Sequence, residues 1–363
     1  MSQTSFTRFY WSFFLVILGI ALWGIFFLYS ASYNIGSEQG MLALRQMVRI
    51  AVGLMVFLGV VSIGYKSFLN ISYVLYVVTL ILLIMVLVFG TRRYGAQRWL
   101  YVGPFSFQPS EFSKIAVILA LSHYLGRRKK NLYQIRRFII AFIMTIVPLV
   151  LVLKEPDLGT SLIFIPILLC MLYVWGAKLK YFLMTIVLGL SSLPFLWMLL
   201  KPYQKDRLFA FIDPNRDPLG ASYTVIQSKI AIGSGGFLGK GWLQGTQNKL
   251  YFVPEHHTDF IFSVVGEEGG FISIVVFFLL FVLLFRLSFM AIRRTTDVSG
   301  KLLATGIIAM VFFHIFINIG MTIGLMPVTG LPLPLISYGG SSLLTFFISF
   351  GLLVSIFKER SIF

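Results

Sequence analysis

Thirteen acidic residues and four histidines are all that a chain of 363 residues offers for acid–base chemistry, and they are not spread evenly. The stretch NKLYFVPEHHTDFIFSVVGEEGG, Asn248–Gly270, holds four of the acids and two of the histidines. Glu255, His256, His257 and Asp259 could ligate zinc, but adjacent histidines point apart on regular backbone and no HExxH pattern is present. Thr258 and Asp259 stand at a helix entry, where either could cap the helix, with Glu255 four residues before Asp259. Capping needs fewer ionisable groups than this. The chemistry that uses them is a carboxylate general base beside a phosphate-facing cleft, with the histidines orienting it.

Other clusters point the same way, each with a plainer reading beside it. In FQPSEFSK, Phe107–Lys114, Ser110 can cap a helix, Glu111 suits its positive end, and Glu111 and Lys114 are three apart and able to pair. That is either a capped helix with a local ion pair or, since ionisable pairs at a membrane edge are expensive, part of a site. KEPDLGTS, Lys154–Ser161, places Asp157 at a helix start, where capping alone accounts for it. Arg45, Arg49, Arg92, Arg93 and Arg98 fall on the side of the chain that disfavours basic residues. Either they snorkel to headgroups or they meet an anion such as phosphate. GSGGFLGKGW, Gly233–Trp242, fails as a phosphate loop, because Ser234 stands where the first glycine is required and Gly241 follows Lys240. No nucleotide site is supported, and Lys240 counts only as one more outward basic residue able to meet a diphosphate. GLMPVTGLPLPLISYGGSS, Gly324–Ser342, is both apolar and helix-breaking, which suits a cavity wall at membrane depth.

The elements that must position these residues are membrane helices. The chain is 58% hydrophobic and 12% charged, and its long apolar runs exclude the soluble classes. Ten spans are expected: Trp11–Ala31, Met47–Ile63, Ile71–Phe89, Phe112–Leu125, Phe138–Leu153, Leu158–Trp175, Phe182–Leu200, Phe260–Phe285, Leu302–Leu325 and Ser341–Phe357. The fourth and fifth are short and are expected to extend into their flanks. Trp11–Ala31 lacks a small-x-small cleavage site and reads as an uncleaved first helix. The fold class is thus an all-α polytopic membrane protein, one integral domain over residues 1–363, with a large extracytoplasmic loop, residues 201–259, between helices 7 and 8. Within it, TVIQSKIAIGSGGFLG reads as a short amphipathic helix ending in glycines.

Charge sets the orientation. The basic loops Gly126–Arg137, Gly176–Tyr181, Arg293–Asp297 and Lys358–Arg360 fall on one side, which is cytoplasmic together with both termini. Eleven of the thirteen acids lie on the other side, so the chemistry faces outward. The net charge of +17 follows from the same loops facing anionic lipid, without any stacking pattern for nucleic acid. The single Cys170 excludes an internal disulfide.

Five of these stretches, in order along the chain, resemble the SEDS family (shape, elongation, division, sporulation) of bacterial cell-wall polymerases. They are GAQRWL, FQPSEFSK, EPDLGTS, VPEHHTDFIFSVVGEE and NIGMTIGLMPVTGLPLPLISYGGSS. GKGWLQGTQNKLYFVPEHHTDF and PVTG are similar to the branch serving rod shape rather than division. Gly269-Gly270 departs from the more frequent Leu-Gly. The resemblance implies a ten-helix enzyme of the bacterial cytoplasmic membrane that polymerises lipid II into glycan strands. It would work with a class B penicillin-binding protein transpeptidase and other membrane proteins of the elongation complex. The resemblance places the essential acid on Asp259 and further cavity residues on Glu111, Lys114 and Asp157. Arg45, Arg49, Arg98, Lys240, Glu255, His257 and Thr258 are then expected around the substrate. The departing diphosphate needs prearranged charge from Lys and Arg or from a divalent cation, Mg or Mn. The rivals are a lipid II flippase, for which the same charges would form a path, and a non-catalytic scaffold, which leaves the acid cluster without a role.

Overall fold

A computed structural model describes residues 3–33, 36–93, 96–102, 105–127 and 134–359. Every expected span falls on a long helix. The first three fall on α1 (Gln3–Ser32), α2 (Gly36–Ile63) and α4 (Ser72–Phe89), the short α3 (Tyr65–Asn70) lying between the last two. Next come α5 (Pro109–Gly126), α6 (Gln134–Lys154), α7 (Leu158–Trp175) and α8 (Leu179–Leu199). The last three are α12 (Ile261–Arg294), α13 (Val298–Thr322) and α14 (Gly340–Glu359). Eight of these are long and apolar enough to cross a membrane, among the described residues; α5 and α8 are the two outside that set. In α5 the buried polar residues Glu111, Lys114 and His123 lower the hydropathy that length alone would give. As expected, α5 and α6 lengthen into their flanks. α12 runs nine residues past its expected end and finishes on Arg293 and Arg294, cations suited to a helix C-terminus. Residues 128–133 of the basic loop before α6 lie outside the described residues.

α13 and α14 form the centre of the bundle, most of each being buried. Around them α1, α2 and α4 turn apolar faces outward, with Leu15, Leu22, Val48, Met55, Val74 and Val88 exposed. In water such a surface would aggregate; against acyl chains it is the ordinary exterior.

Two features differ from the sequence reading. The loop before α5 is a three-stranded antiparallel sheet, β1 (Thr91–Arg93), β2 (Ala96–Val102) and β3 (Phe105–Phe107), in that order. Gln97 from β2 donates to the Val86 carbonyl at 3.0 Å, tying the sheet to the end of α4. The long connection also holds more helix than the one segment expected. It contains α9 (Pro202–Ile212), α10 (Tyr223–Ser234) and α11 (Thr246–Lys249), and α10 is the expected amphipathic helix before the glycines.

Glycine decides how this connection docks. α12 breaks at Gly270, φ 60°, and the glycine turn after α10 runs against the break. Lys240 N–H donates to the Glu267 carbonyl at 3.0 Å, Gly241 N–H to that of Glu268 at 3.1 Å, and Phe271 N–H to that of Gly236 at 3.0 Å. A Cβ on Gly239, φ 81°, would stand 2.1 Å from the Glu268 carbonyl, so the two backbones approach this closely only with glycine there.

Candidate active site

Asp259 sits two residues before α12 and is held by its main chain. Asn318 of α13 donates to the Asp259 carbonyl at 2.8 Å and to that of Leu331 at 2.7 Å. Ser337 donates to the Thr258 carbonyl at 2.5 Å and accepts from the Leu333 N–H at 2.8 Å. Tyr338 N–H donates to the His257 carbonyl at 3.2 Å. His256 is buried, its two ring nitrogens each 2.9 Å from a carbonyl, of Val253 and of Ala31. Glu255 has a positive φ of 53°, and its Oε2 accepts from the Thr258 hydroxyl at 3.2 Å. The apolar segment after α13, expected as a cavity wall, thus clamps the acid loop. It leaves the Asp259 carboxyl partly open.

The facing half comes from the link between α6 and α7 and from β2. Asp157 caps α7, accepting from Thr160 N–H at 3.2 Å and from the Gln108 side chain at 3.2 Å. Arg98 lies 3.8 Å from Asp157 and donates to the Pro156 carbonyl, which also accepts from Tyr203 and Gln204 of α9. Arg207, one turn further along α9, donates to the Val328 carbonyl at 3.4 Å.

These groups share one electrostatic field. Asp259 lies deep enough among protein atoms that burial is the main cause raising its carboxyl from the usual range to about 6. Glu255 raises it further, Arg207 and Arg98 oppose, and Asp157 adds a smaller push upward. Burial lowers the Arg207 guanidinium, and burial together with His256 lowers His257 against the pull of Glu255. His257 Nε2 is 3.9 Å from Glu255 Oε2. The arrangement is a near-neutral carboxyl facing two arginines, able to take a proton next to an anion.

The remaining expected residues are disposed differently. Lys114 is fully buried, with Nζ 3.0 Å from Glu111 Oε1 and 2.8 Å from His314 Nε2, and His314 Nδ1 is 3.3 Å from the Pro332 carbonyl. Its ammonium is closed off from the surface and braces α5, α13 and the clamp segment. Arg49 lies over the Tyr338 ring, 4.3 Å from the centroid, with Nη1 buried and unpartnered. Arg45 is exposed, its guanidinium 4.0 Å from the Met41 sulfur. Lys240 is engaged with Glu267 at 2.8 Å and Thr246 at 2.9 Å, fastening the long connection to α12. The side chains of Arg92 and Arg93 lie outside what is described.

Sequence reasoning missed Asn318, Ser337, His314 and Arg207. Asn318 and His314 did carry a signal, being polar residues inside an apolar run. Among the described residues no three His, Cys, Asp or Glu side chains gather as a metal site. Asp259 and Glu255 are the carboxylates that could meet a divalent cation carried by the diphosphate, since Mg is commonly held by one or two carboxylates together with substrate phosphates.

With this geometry in view, comparison with known proteins is decisive. A family described as cell cycle protein, FtsW/RodA/SpoVE, matches residues 10–362. The chain belongs to this family. Among FtsW/RodA/SpoVE relatives, the chain is 40% identical to the peptidoglycan glycosyltransferase MrdB of Escherichia coli K12, covering 95% of this chain and 92% of that one. It is 35% identical to the peptidoglycan glycosyltransferase RodA of Treponema pallidum, over 94% and 96% of the two chains. Its fold is similar to a chain from a peptidoglycan synthase complex that coordinates polymerization and crosslinking, with TM-score 0.80, 33% identity and coverage of 96% and 98%. The rod shape determining protein RodA of Thermus thermophilus is also similar, with TM-score 0.72, 28% identity and coverage of 96% and 97%. Like these family members, the chain is an all-α, multi-pass membrane protein.

Proposed function

We propose that this protein is a peptidoglycan glycosyltransferase that polymerises lipid II, with Asp259 as its general base. The observation that carries the reading is the half-buried Asp259, its main chain clamped by Asn318, with a carboxyl that burial raises to about 6 in the field of Arg207 and Arg98. A carboxyl at that value is ionised at neutral pH yet basic enough to take a hydroxyl proton. As the acceptor sugar hydroxyl attacks the anomeric carbon of the donor, its proton passes to Asp259. The bond from that carbon to the diphosphate breaks, and the electron pair leaves with the lipid diphosphate. Arg98 and Arg207 stabilise the developing charge without reorganising. Arg49 of α2, with a spare buried N–H, packs over Tyr338 of the clamp segment and would add a further cation for the diphosphate. Glu255, His257 and Thr258 tune and orient Asp259; Glu111, Lys114 and His314 support it from behind.

In this reading the whole chain, residues 1–363, is one membrane domain in the bacterial cytoplasmic membrane, with both termini cytoplasmic. The connection 201–259 and the site are outside, where lipid II presents its sugars. A class B penicillin-binding protein transpeptidase is the partner, a reading supported by the similar chain from a synthase complex. The alternative, translocation of lipid II, calls for polar groups through the thickness of the bundle. Here Glu111, Asp157 and Asp259 gather where α5, α7 and α12 begin.

Purified protein mixed with lipid II, with and without the transpeptidase, should yield polymer on a gel; transbilayer movement of lipid II with no polymer would favour translocation. A chelator titration in the same assay separates the charge sources. A cation arriving with the diphosphate gives weak, readily reversed dependence, whereas a tightly retained ion would contradict the arginine assignment.

A further inference from the structure

Glu155 has no part in the reading above, and its surroundings are unusual. It lies in the short link between α6 and α7, completely buried, and neither carboxyl oxygen has a hydrogen-bond partner. The link itself is firmly held. Glu155 N–H bonds back to the Leu151 and Val152 carbonyls at 3.2 and 3.1 Å, and Asp157 N–H to that of Val152 at 3.2 Å. The main chain of Glu155 is thus tied back to α6, and the side chain stands where no solvent reaches it. An ionised carboxylate in that position would be desolvated without a single donor, which proteins avoid by keeping the proton.

We propose that Glu155 is carried as a neutral carboxylic acid and serves as a positioning residue that leaves the Arg98 charge to Asp157 and the substrate. The charges facing it are Asp157 on its own link and Arg98 on β2. Arg98 gives one N–H to the Pro156 carbonyl, lies beside Asp157, and keeps its Nε buried without a partner. Around Asp259 the field already sets three carboxylates, Asp259, Glu255 and Asp157, against two guanidiniums, Arg98 and Arg207. A fourth carboxylate would draw Arg98 into the link and repel a diphosphate. In agreement, burial first and Asp157 second push the Glu155 carboxyl up to about 9, Arg98 only partly opposing.

This inference rests on the glycosyltransferase reading for its kinetic arm but not for its stability arm. Glu155→Gln keeps the shape and removes the proton that must be held. The melting temperatures of wild type and E155Q, compared from about pH 6 to about pH 9, should draw apart as pH rises, the variant becoming relatively more stable, and the gap should level off above that. In polymerisation, the wild type should lose activity as pH rises through about 9, whereas E155Q should keep activity within about threefold at neutral pH and lack that alkaline fall. A gap that does not change with pH would overturn the proposal, whatever the activity. So would a tenfold or greater loss of polymerisation in folded E155Q, which would mean that the ionised carboxylate is needed. Glu155→Met is a second neutral replacement, and failure of both variants to fold at any pH would also overturn it.

Discussion

The side-chain amide of Asn318, in the buried middle of the bundle, donates one hydrogen to the Asp259 carbonyl at 2.8 Å and the other to the Leu331 carbonyl at 2.7 Å. One residue of α13 thus fixes both the acid loop and the segment that clamps it. Asn318→Leu leaves two carbonyls without their donor, at about 1–3 kcal/mol each. It should lower the melting temperature and reduce kcat for polymerisation by about tenfold or more, with a smaller change in KM. An unchanged kcat would mean that Ser337 and Tyr338 hold the loop alone.

Asp259 should set the acid limb of activity. Only its ionised form accepts the hydroxyl proton, so kcat/KM should fall as pH drops through about 6, approaching tenfold per unit below that. Stability should run the other way. An acid whose folded pKa exceeds its unfolded value of about 3.9 holds its proton more tightly in the native state. Its contribution is therefore intact at the acid end and is lost as pH rises from about 4 to about 6. Above that, Asp259→Asn should be the more stable protein, by up to about 3 kcal/mol. Melting both proteins at pH values on either side of this window checks the sign.

Lys114 should behave as a brace. Removing one partner of a buried ion pair typically costs about 3–5 kcal/mol, because the other is left uncompensated. Lys114→Ala strands Glu111 and His314, so stability and polymerisation should fall together. Glu111→Gln combined with Lys114→Met should recover much of the fold. If Lys114→Ala abolished polymerisation with no change in melting temperature, Lys114 would instead reach the diphosphate.

Much of this was legible in the residues, for identifiable reasons. Apolar runs place α1, α2, α4, α6, α7, α12, α13 and α14, since a bilayer imposes length and composition on any span. Asp157 as a cap and α10 ending at its glycines follow from local rules. The sheet of β1, β2 and β3 was hidden because its strands are short and register there is decided by Gln97 docking on α4, a tertiary contact. Side-chain direction was also hidden. FQPSEFSK implies a Glu111–Lys114 pair but not that His314, two hundred residues away, closes it from behind. Lys240 sits beside glycines that resemble an anion loop, yet it binds Glu267, an acid of α12 that the docking of the glycine turn brings within reach.

The central claim is that Asp259 takes the acceptor proton. Asp259→Asn keeps the size, the main-chain clamp and the ability to bond locally, but cannot act as base. Turnover of labelled lipid II into polymer by the purified variant, beside wild type and with the folded state checked by melting, tests this directly. The expected result is a loss of at least about 10²–10⁴-fold with equal or greater thermal stability. Polymer formation at the wild-type rate by Asp259→Asn would contradict it.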